Sequence, residues 1–485
     1  MQSPSAVRMR VVLGNQRNLP LLLVGCVVTL LLIVIALDRS PPEQKYDTLT
    51  TDEVTDYSDE ALDKYFNGKC KIKNFESLRR MSIVYTWVNG SLPCYRQQRE
   101  EHGGKHAVGG SRDREIGELK YSIRSLKKYM PWHTGLIYIV SPGHIPNWLD
   151  MNNPRIKVIN QDDLFPEYAK QFLPTFNTHV LEQFLYLIPG LSDIYMQIND
   201  DYIFTAPIDP QEFFTCDGGI RLLHESGMIS HTPPTPKKGI WISSVLHTQQ
   251  EMDLRWGQKD RYFIKHAPFV YSRHAFERIH QIFDRPLYMT LKSKFRGKPD
   301  MNVPLLHHYY MMSQGSEELG IPIQSPPEEE MQGYKLILMQ DDNVDGLEQI
   351  FSSILEGNSE YRIVALNDEY SEMRVADTAK NFLNKFLPEP SEYELKPGAE
   401  SHPLTIRKPD TCGIDETILA PFPRRVEASQ KFQVVAYREQ RWVAFMNSLL
   451  RGMGVGIGLM TVYVFYLLVL RPQKHSKGSS AYDKV

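Results

Sequence analysis

Short apolar runs closed by polar turns recur along residues 81–369, and they predict strands. Met81 to Val88 (MSIVYTWV) is rich in β-branched and aromatic residues and stops at Asn89-Gly90. Leu136 to Val140 stops at Ser141-Pro142-Gly143, and Arg155 to Ile159 stops before Gln161-Asp162-Asp163. Ile194 to Ile198 ends in Asn199-Asp200-Asp201, while Tyr334 to Met339 and Arg362 to Leu366 are two further strands. Elsewhere the apolar spacing shifts to three and four residues. It predicts a helix over 112–129, with Ile116, Leu119, Ile123 and Leu126 on one face, Asp113 and Glu115 in its first turn, and Lys127 and Lys128 in its last. Val180, Leu181, Phe184 and Leu185 mark a helix after the Pro174-Thr175 loop, and Phe276 to Phe283 a short third one. Residues 303–313 form an apolar helix-like segment in which His307 and His308 read as packing residues. Strands alternating with helices predict an α/β fold with a mainly parallel sheet and flanking helices. Residues 205–260, with Pro207, Pro210 and the Pro233-Pro234-Thr235-Pro236 run, read as an excursion from that sheet. The polar, Gly-rich stretch 96–114 reads as a mobile loop able to close over a substrate.

Two apolar runs are of another kind. Leu21 to Leu37 and Gly452 to Leu470 carry no charge and are long enough to cross a bilayer. Arg8, Arg10 and Arg17 precede the first, and Arg471, Lys474, Lys477 and Lys484 follow the second, which predicts both tails on the cytoplasmic side. A cleaved signal peptide is the alternative for the first run, but its length and the Leu37-Asp38-Arg39 exit favour an anchor. The expected organisation is a cytoplasmic tail (1–18), an anchor (19–37), a lumenal stalk (38–80) with a short helix near Ser58 to Phe66, a catalytic domain (81–385), a Pro-rich wrap and membrane-proximal helix (386–451), a second span (452–470) and a second tail (471–485). Gly452, Gly454, Gly456 and Gly458 allow the spans to pack closely, and the alternative is a glycine-rich span without a partner.

Composition changes this picture little. Of 485 residues, 42% are hydrophobic and 23% charged, the balance of a globular protein with a sizeable core. The net charge of −3 gives no argument for nucleic acid. Cys26 lies in the first span; Cys70, Cys94, Cys216 and Cys412 allow two disulfides in an oxidising lumen, in any of three connectivities.

The chemistry concentrates at strand ends. Acidic groups at the tip of a buried strand are costly unless something pairs with them, and a divalent cation is the usual resolution beside a nucleoside diphosphate. Asn199, Asp200 and Asp201 form one such tip, and Asn367-Asp368-Glu369 form a second; a simple turn is the ordinary reading of each. His266 sits before Ala267-Pro268 in extended backbone. Lys292, Lys294, Arg296 and Lys298 make the one dense basic cluster of the middle region, either a solvated face or a phosphate clamp. Asn177 and His179 stand near a helix start, where free N–H groups favour an anion; an N-cap beside a surface histidine is the plainer reading. Residues 341–346 look like a calcium loop, but Ser352 stands where a bidentate glutamate is required, which excludes it. Asn89-Gly90-Ser91 is the one glycosylation sequon.

These stretches resemble a known family. YTWVNGS (85–91), RDREIGELKYSIRSLKKYMPW (112–132), IYIVSPGHIPNWL (137–149), LPTFNTHVLE (173–182) and INDDYIF (198–204) look like the first two signature regions of the Stealth family. KHAPF (265–269) with KFRGKP (294–299) looks like the third, and ALNDE (365–369) like the fourth. That family includes an N-acetylglucosamine-1-phosphotransferase and bacterial capsule polymerases that form sugar-phosphate links. The resemblance covers the core and not the long inserted modules that the larger enzyme carries between its second and third regions. It implies a fold similar to nucleotide-sugar (GT-A-like) glycosyltransferases and transfer of a hexose 1-phosphate, in the first instance N-acetylglucosamine 1-phosphate, from a UDP-sugar to a glycan hydroxyl with release of UMP. It implies Mg2+ or Mn2+ as cofactor, a Golgi membrane setting, a glycan or glycoprotein acceptor, and no nucleic-acid partner; a homodimer stays open. Carried over residue by residue, Asp201, His266 and Arg296 form the catalytic group, with either Asp201 or His266 as base. Asp200, Asn367 and Asp368 become metal ligands. Trp87, Asn89, Gly90, Arg112, Asn177, His179 and Asn199 become substrate contacts. Two other classes stay open: an ordinary metal-dependent glycosyltransferase releasing UDP, and a non-catalytic Golgi lectin or scaffold.

Overall fold

β-Branched and aromatic runs with few polar interruptions suit strands buried on both faces, and the central sheet is built from them. The computed structural model describes residues 70, 72–73, 75–110, 114–235 and 237–399. β1 (Ser82–Thr86), β2 (Ile137–Ser141), β3 (Ile156–Asn160) and β4 (Ile194–Asn199) run parallel in the order β3-β2-β1-β4. β5 (Tyr202–Phe204) follows β4 after two residues but leaves that sheet. β6 (Phe269–Ser272) closes the central sheet antiparallel to β4, with Gln197 opposite Phe269. β7 (Tyr334–Met339) and β8 (Ile363–Asp368) run parallel, and β8 pairs antiparallel with β5 to make a second, three-stranded sheet. The mainly parallel sheet with flanking helices read from the sequence is thus the observed architecture.

Helix α1 (Glu118–Tyr129) links the two sheets. Leu119, Ile123 and Leu126 join the core of the central sheet, and Tyr121 joins the core of the second. Helix α2 (Thr178–Glu182) lies over the central sheet, and helix α3 (Ile240–Trp256) falls inside the stretch read as an excursion. Helices α4 (Val344–Leu355) and α5 (Met373–Phe386) cover the second sheet, with Phe351 and Phe382 stacked at 4.1 Å between them. The helix over 303–310 buries both His307 and His308, as expected for packing residues; burial pushes each imidazole down to about 3.

One expectation fails at the start of α1. The periodicity places Ile116 and Glu115 inside the helix, but it begins at Glu118. Gly117 has φ +95, a left-handed backbone that a helix does not continue. The Gly117 N–H donates to Glu115 Oε1 (2.9 Å), and the Ile116 N–H donates to Glu118 Oε2 (3.1 Å), so both carboxylates fold back onto the segment before the helix.

Cys70 and Cys216 are joined with Cα atoms 5.7 Å apart, across 146 residues of sequence, and Cys94 is disulfide-bonded as well. A link spanning that much chain restricts the unfolded ensemble by about 5 kcal/mol in the chain-entropy account. The anchor at 19–37, the second span at 452–470, the helix near 58–66, the segment 400–451 and Arg112 lie outside the described residues. Among the described residues no helix is long and apolar enough to cross a membrane.

Candidate active site

In open parallel sheets the crevice beyond the carboxyl ends of the strands is where ligands bind, because loops diverge there and free backbone groups collect. Register brings the sequence-predicted tips together at that edge. Thr86 of β1 stands opposite Asn199 of β4, which sets Trp87, Asn89 and Gly90 beside the Asn199-Asp200-Asp201 turn. The Leu366 N–H donates to the Asp201 carbonyl (3.0 Å), so β8 delivers Asn367 and Asp368 alongside that turn from the second sheet. β6 runs antiparallel to β4, so the chain three residues before Phe269 passes the same end of β4 as the chain three residues after Gln197. That residue is His266, and its ring meets the Tyr202 ring edge-on at 5.0 Å. Three separate predictions from sequence therefore meet at one place.

The electrostatics of this edge are those of an acidic group in a desolvated setting. Burial raises the Asp200 carboxyl well above its usual range, and the charges of Asp201, Glu115 and Asp368 push it further. Glu118, fully inside, is raised well above its usual range by burial first and then by Glu115, Asp368 and Asp200. Glu115 is raised by burial against the opposing effects of its hydrogen bonds from the Trp87 indole (Nε1 to Oε2, 3.2 Å) and the Gly117 backbone. Glu115 and Glu118 were not singled out as site residues in the sequence. Trp87 was, and Glu115 fixes the orientation of its ring. Behind Asp368 the chain is held by Asp341, which accepts from the Ser371 and Glu372 N–H groups, and by Arg114, which donates to the Ser371 carbonyl (2.8 Å) and lies over the Tyr370 ring. The would-be calcium loop around Asp341 is thus a brace for the β8 tip.

Asn199 accepts from Gln197 Nε2 (2.8 Å) at the end of β4. The Asn89 N–H donates to His144 Nδ1 (3.2 Å), and its side-chain oxygen accepts from the Ser91 N–H and hydroxyl. A glycan on Asn89 would stand in the crevice beside Trp87. Asn89 is therefore expected to be unmodified in active protein, checked by mass spectrometry of the peptide that contains it; full occupancy would remove Asn89 and Gly90 from the pocket.

The basic segment is pinned from below. Asn177 Nδ2 donates to Asp300 Oδ2 (2.8 Å) and to the carbonyls of Ser293 and Phe295 (3.3 Å each). Lys294 Nζ donates to the carbonyls of Phe172, Leu173 and Pro174, and Phe295 stacks on Phe176 at 5.0 Å. Arg296 stands half-buried on the segment so fixed. The helix-terminus argument for an anion at Asn177 and His179 does not hold. α2 is only five residues long, the Asn177 side chain accepts the His179 N–H (3.1 Å), and His179 is buried with Nδ1 3.4 Å from Glu182. Asn177 acts here as the clamp on the Arg296 segment. Asn177→Ala removes a helix cap, a buried hydrogen bond to the Asp300 carboxylate and two to backbone carbonyls, and is expected to lower stability by about 2–4 kcal/mol in denaturant unfolding.

Among the described residues no three His, Cys, Asp or Glu side chains are arranged as a ready metal centre. The donor chemistry at the two tips nevertheless suits a hard cation. Asp200 is desolvated and repelled by Asp368, Asn367 with its amide oxygen precedes Asp368 on the same strand, and a divalent charge would offset that repulsion.

Residues 112–222 match the family model of Stealth protein CR2, conserved region 2, and residues 265–313 match that of Stealth protein CR3, conserved region 3. The chain carries two conserved regions of the Stealth proteins. The resemblance read from its motifs is borne out. Glu115, Glu118, Asn177, His179, Asp200 and Asp201 lie in Stealth region 2, and His266 and Arg296 in Stealth region 3. An exopolysaccharide phosphotransferase of Streptomyces coelicolor is 31% identical over 239 residues, covering 48% of this chain and 40% of that protein. A second from the same organism is 30% identical over 324 residues, covering 65% and 51%. Exopolysaccharide phosphotransferase CpsY of Mycobacterium tuberculosis is 27% identical, covering 65% and 58%. The chain spans about half the length of these relatives. A crystal structure of the galactosyltransferase LgtC aligns over 64% of this chain and 98% of that one at 10% identity and a TM-score of 0.32, a likeness too low to carry an argument.

Proposed function

We propose that this chain is a sugar-1-phosphate transferase. It moves a hexose 1-phosphate, N-acetylglucosamine 1-phosphate in the first instance, from a UDP-sugar to a glycan hydroxyl and releases UMP. The observation that carries this reading is the meeting of three sequence-distant groups at one strand edge: the Asp200-Asp201 tip, the Asn367-Asp368 tip and His266. Exopolysaccharide phosphotransferase relatives support the same class of reaction.

Transfer of a phosphoryl group needs positioning, charge neutralisation and removal of the acceptor proton. The acceptor oxygen attacks the phosphorus that bears the sugar. The bond from that phosphorus to the bridging oxygen breaks, and UMP departs with the electron pair. Asp201 or His266 takes the acceptor proton. The Arg296 guanidinium neutralises charge on the phosphoryl oxygens. Asp200, Asn367 and Asp368 would hold Mg2+ or Mn2+, which supplies charge neutralisation at the diphosphate. Trp87, Asn89 and Gly90 would line the donor side, and Arg112 is a further donor contact that the motif resemblance implies. The setting proposed with it is a Golgi membrane, with the domain lumenal and both termini cytoplasmic; the Cys70–Cys216 disulfide, which suits an oxidising compartment, and the charge flanking the two apolar runs support it. The test is the nucleotide released from a panel of UDP-sugars: UMP supports the reading, and UDP assigns ordinary glycosyl transfer instead.

A further inference from the structure

An exposed aromatic stack lies along the strand that leads into His266. Residues His224–Met228 and Tyr262–Ile264 pair antiparallel, and the second of these strands ends two residues before His266. Phe263 lies on one face of this hairpin. A Cβ built on Gly227 would sit 3.5 Å from its ring, in ordinary contact, so the Phe263 ring packs beside this glycine. Trp241, at the start of α3, stacks on Phe263 with ring centroids 5.8 Å apart and planes at 24°, and it is 53% exposed. A tryptophan that covers a phenylalanine and still shows half its surface to solvent presents a flat π face outward. One residue past the end of the strand that carries Phe263, Lys265 Nζ pairs with Glu225 of the partner strand at 2.8 Å. The Glu225 side chain remains 43% exposed, with acceptor capacity left over.

We propose that Trp241 and Phe263, with Glu225 and Lys265, form the acceptor subsite, and that its occupant is a pyranose glycan. A pyranose has a C–H face that suits an aromatic plane and a rim of hydroxyls that suits an adjoining carboxylate and ammonium. This surface offers both, the aromatic stack on Phe263 and the charged pair at the end of the same hairpin. The direction of the strand then carries the bound sugar toward His266, where an acceptor hydroxyl must lose its proton. A lipid surface or a protein partner would need no such polar pair beside the ring. The inference rests on the sugar-phosphate reading for its meaning but not for its test.

The test is saturation-transfer NMR on the full chain in detergent, with mannose, galactose and N-acetylglucosamine disaccharides as probes. The expected result is transfer to the ring C–H protons of at least one disaccharide, lost in Trp241→Ala and in Glu225→Ala and retained in Trp241→Phe. Kinetics then separate the subsite from the reaction: Trp241→Ala raises the KM for that disaccharide about tenfold or more and leaves the KM for the UDP-sugar within about twofold. No transfer to any probe overturns the proposal, as does a signal indifferent to Trp241, or a variant that loses only co-sedimentation with lipid vesicles. Absence of UMP release from the parent protein would instead strike the functional reading and leave the binding result standing.

Discussion

Replacing His266 by alanine is expected to lower kcat by about 10²–10⁴, and replacing Asp201 by asparagine to do the same, with the fold retained in both. The expectation follows from position. His266 is half-buried and sets its ring edge-on to Tyr202, one residue beyond Asp201. The two residues come from two separate segments, one in each matched conserved region, and His266 packs on the neighbour of Asp201. In the proposed reaction either side chain is the candidate acceptor of the proton, and the double variant distinguishes the roles. If they act on the same step, the double variant loses little more than the worse single variant, since groups that act as a unit are strongly non-additive. Thermal unfolding beside the kinetics separates lost chemistry from lost structure. Variants that unfold at the parent's temperature and keep full activity would remove both residues from the reaction.

Replacing Glu118 by glutamine is expected to stabilise the cation-free protein by about 1–3 kcal/mol, read as a rise in Tm, because it removes one of several like charges held out of water. Glutamine keeps an oxygen for the Ile116 N–H that Glu118 Oε2 now accepts. The pH dependence has a defined sign. The folded-state values of Glu118, Glu115 and Asp200 are raised, so the native state holds protons that the unfolded chain has released. Their unfavourable contribution is absent below the ordinary carboxylate value near 4 and grows as pH rises through the raised range. The Tm advantage of the Glu118→Gln variant should therefore widen from pH 5 to pH 8. Saturating Mg2+ should narrow it at pH 8, since a bound divalent charge offsets the same repulsion. An advantage that shrinks with rising pH, or a parent protein indifferent to Mg2+ and Mn2+, would contradict both the charge account and the placement of a cation at Asp200 and Asp368.

The strand ends were legible in the sequence because burial and polarity change there within one or two residues. Ile194 to Asp201 and Arg362 to Asp368 both show the change, and both prove to be strand tips that converge. The partners of those tips were less legible. Glu115 and Glu118 look like ordinary first-turn acids of a helix, a position where the helix dipole favours them on a surface. What turns them inward is Gly117, whose left-handed backbone delays the helix by several residues and folds both carboxylates back onto the segment before it, where they sit close enough to Asp200 for their charges to interact. One signal of this was present: Glu118, Ser122 and Ser125 form a polar stripe at helical spacing, and all three are buried. Ser125 Oγ accepts the Phe204 N–H (3.0 Å), so the stripe fastens α1 to β5 just beyond the acidic turn. Asn177 misleads in the opposite sense. Its side chain reads as an anion contact at a helix start, yet its partners, Ser293, Phe295 and Asp300, lie more than a hundred residues away. No local pattern announces a contact of that length. Trp241 meets Phe263 across only 22 residues, yet the proline-rich run that precedes Trp241 gave no periodic signal for the contact either.

The central claim, attack at phosphorus with retention of the sugar–phosphate bond, is tested most directly by the fate of the donor's sugar-bearing phosphorus. With a UDP-sugar radiolabelled at that phosphorus and again on the sugar ring, the full-length protein should deliver both labels to the glycan product in equal amounts and release unlabelled UMP. Recovery of the phosphorus label in UDP, with only the sugar label in the glycan, would contradict it.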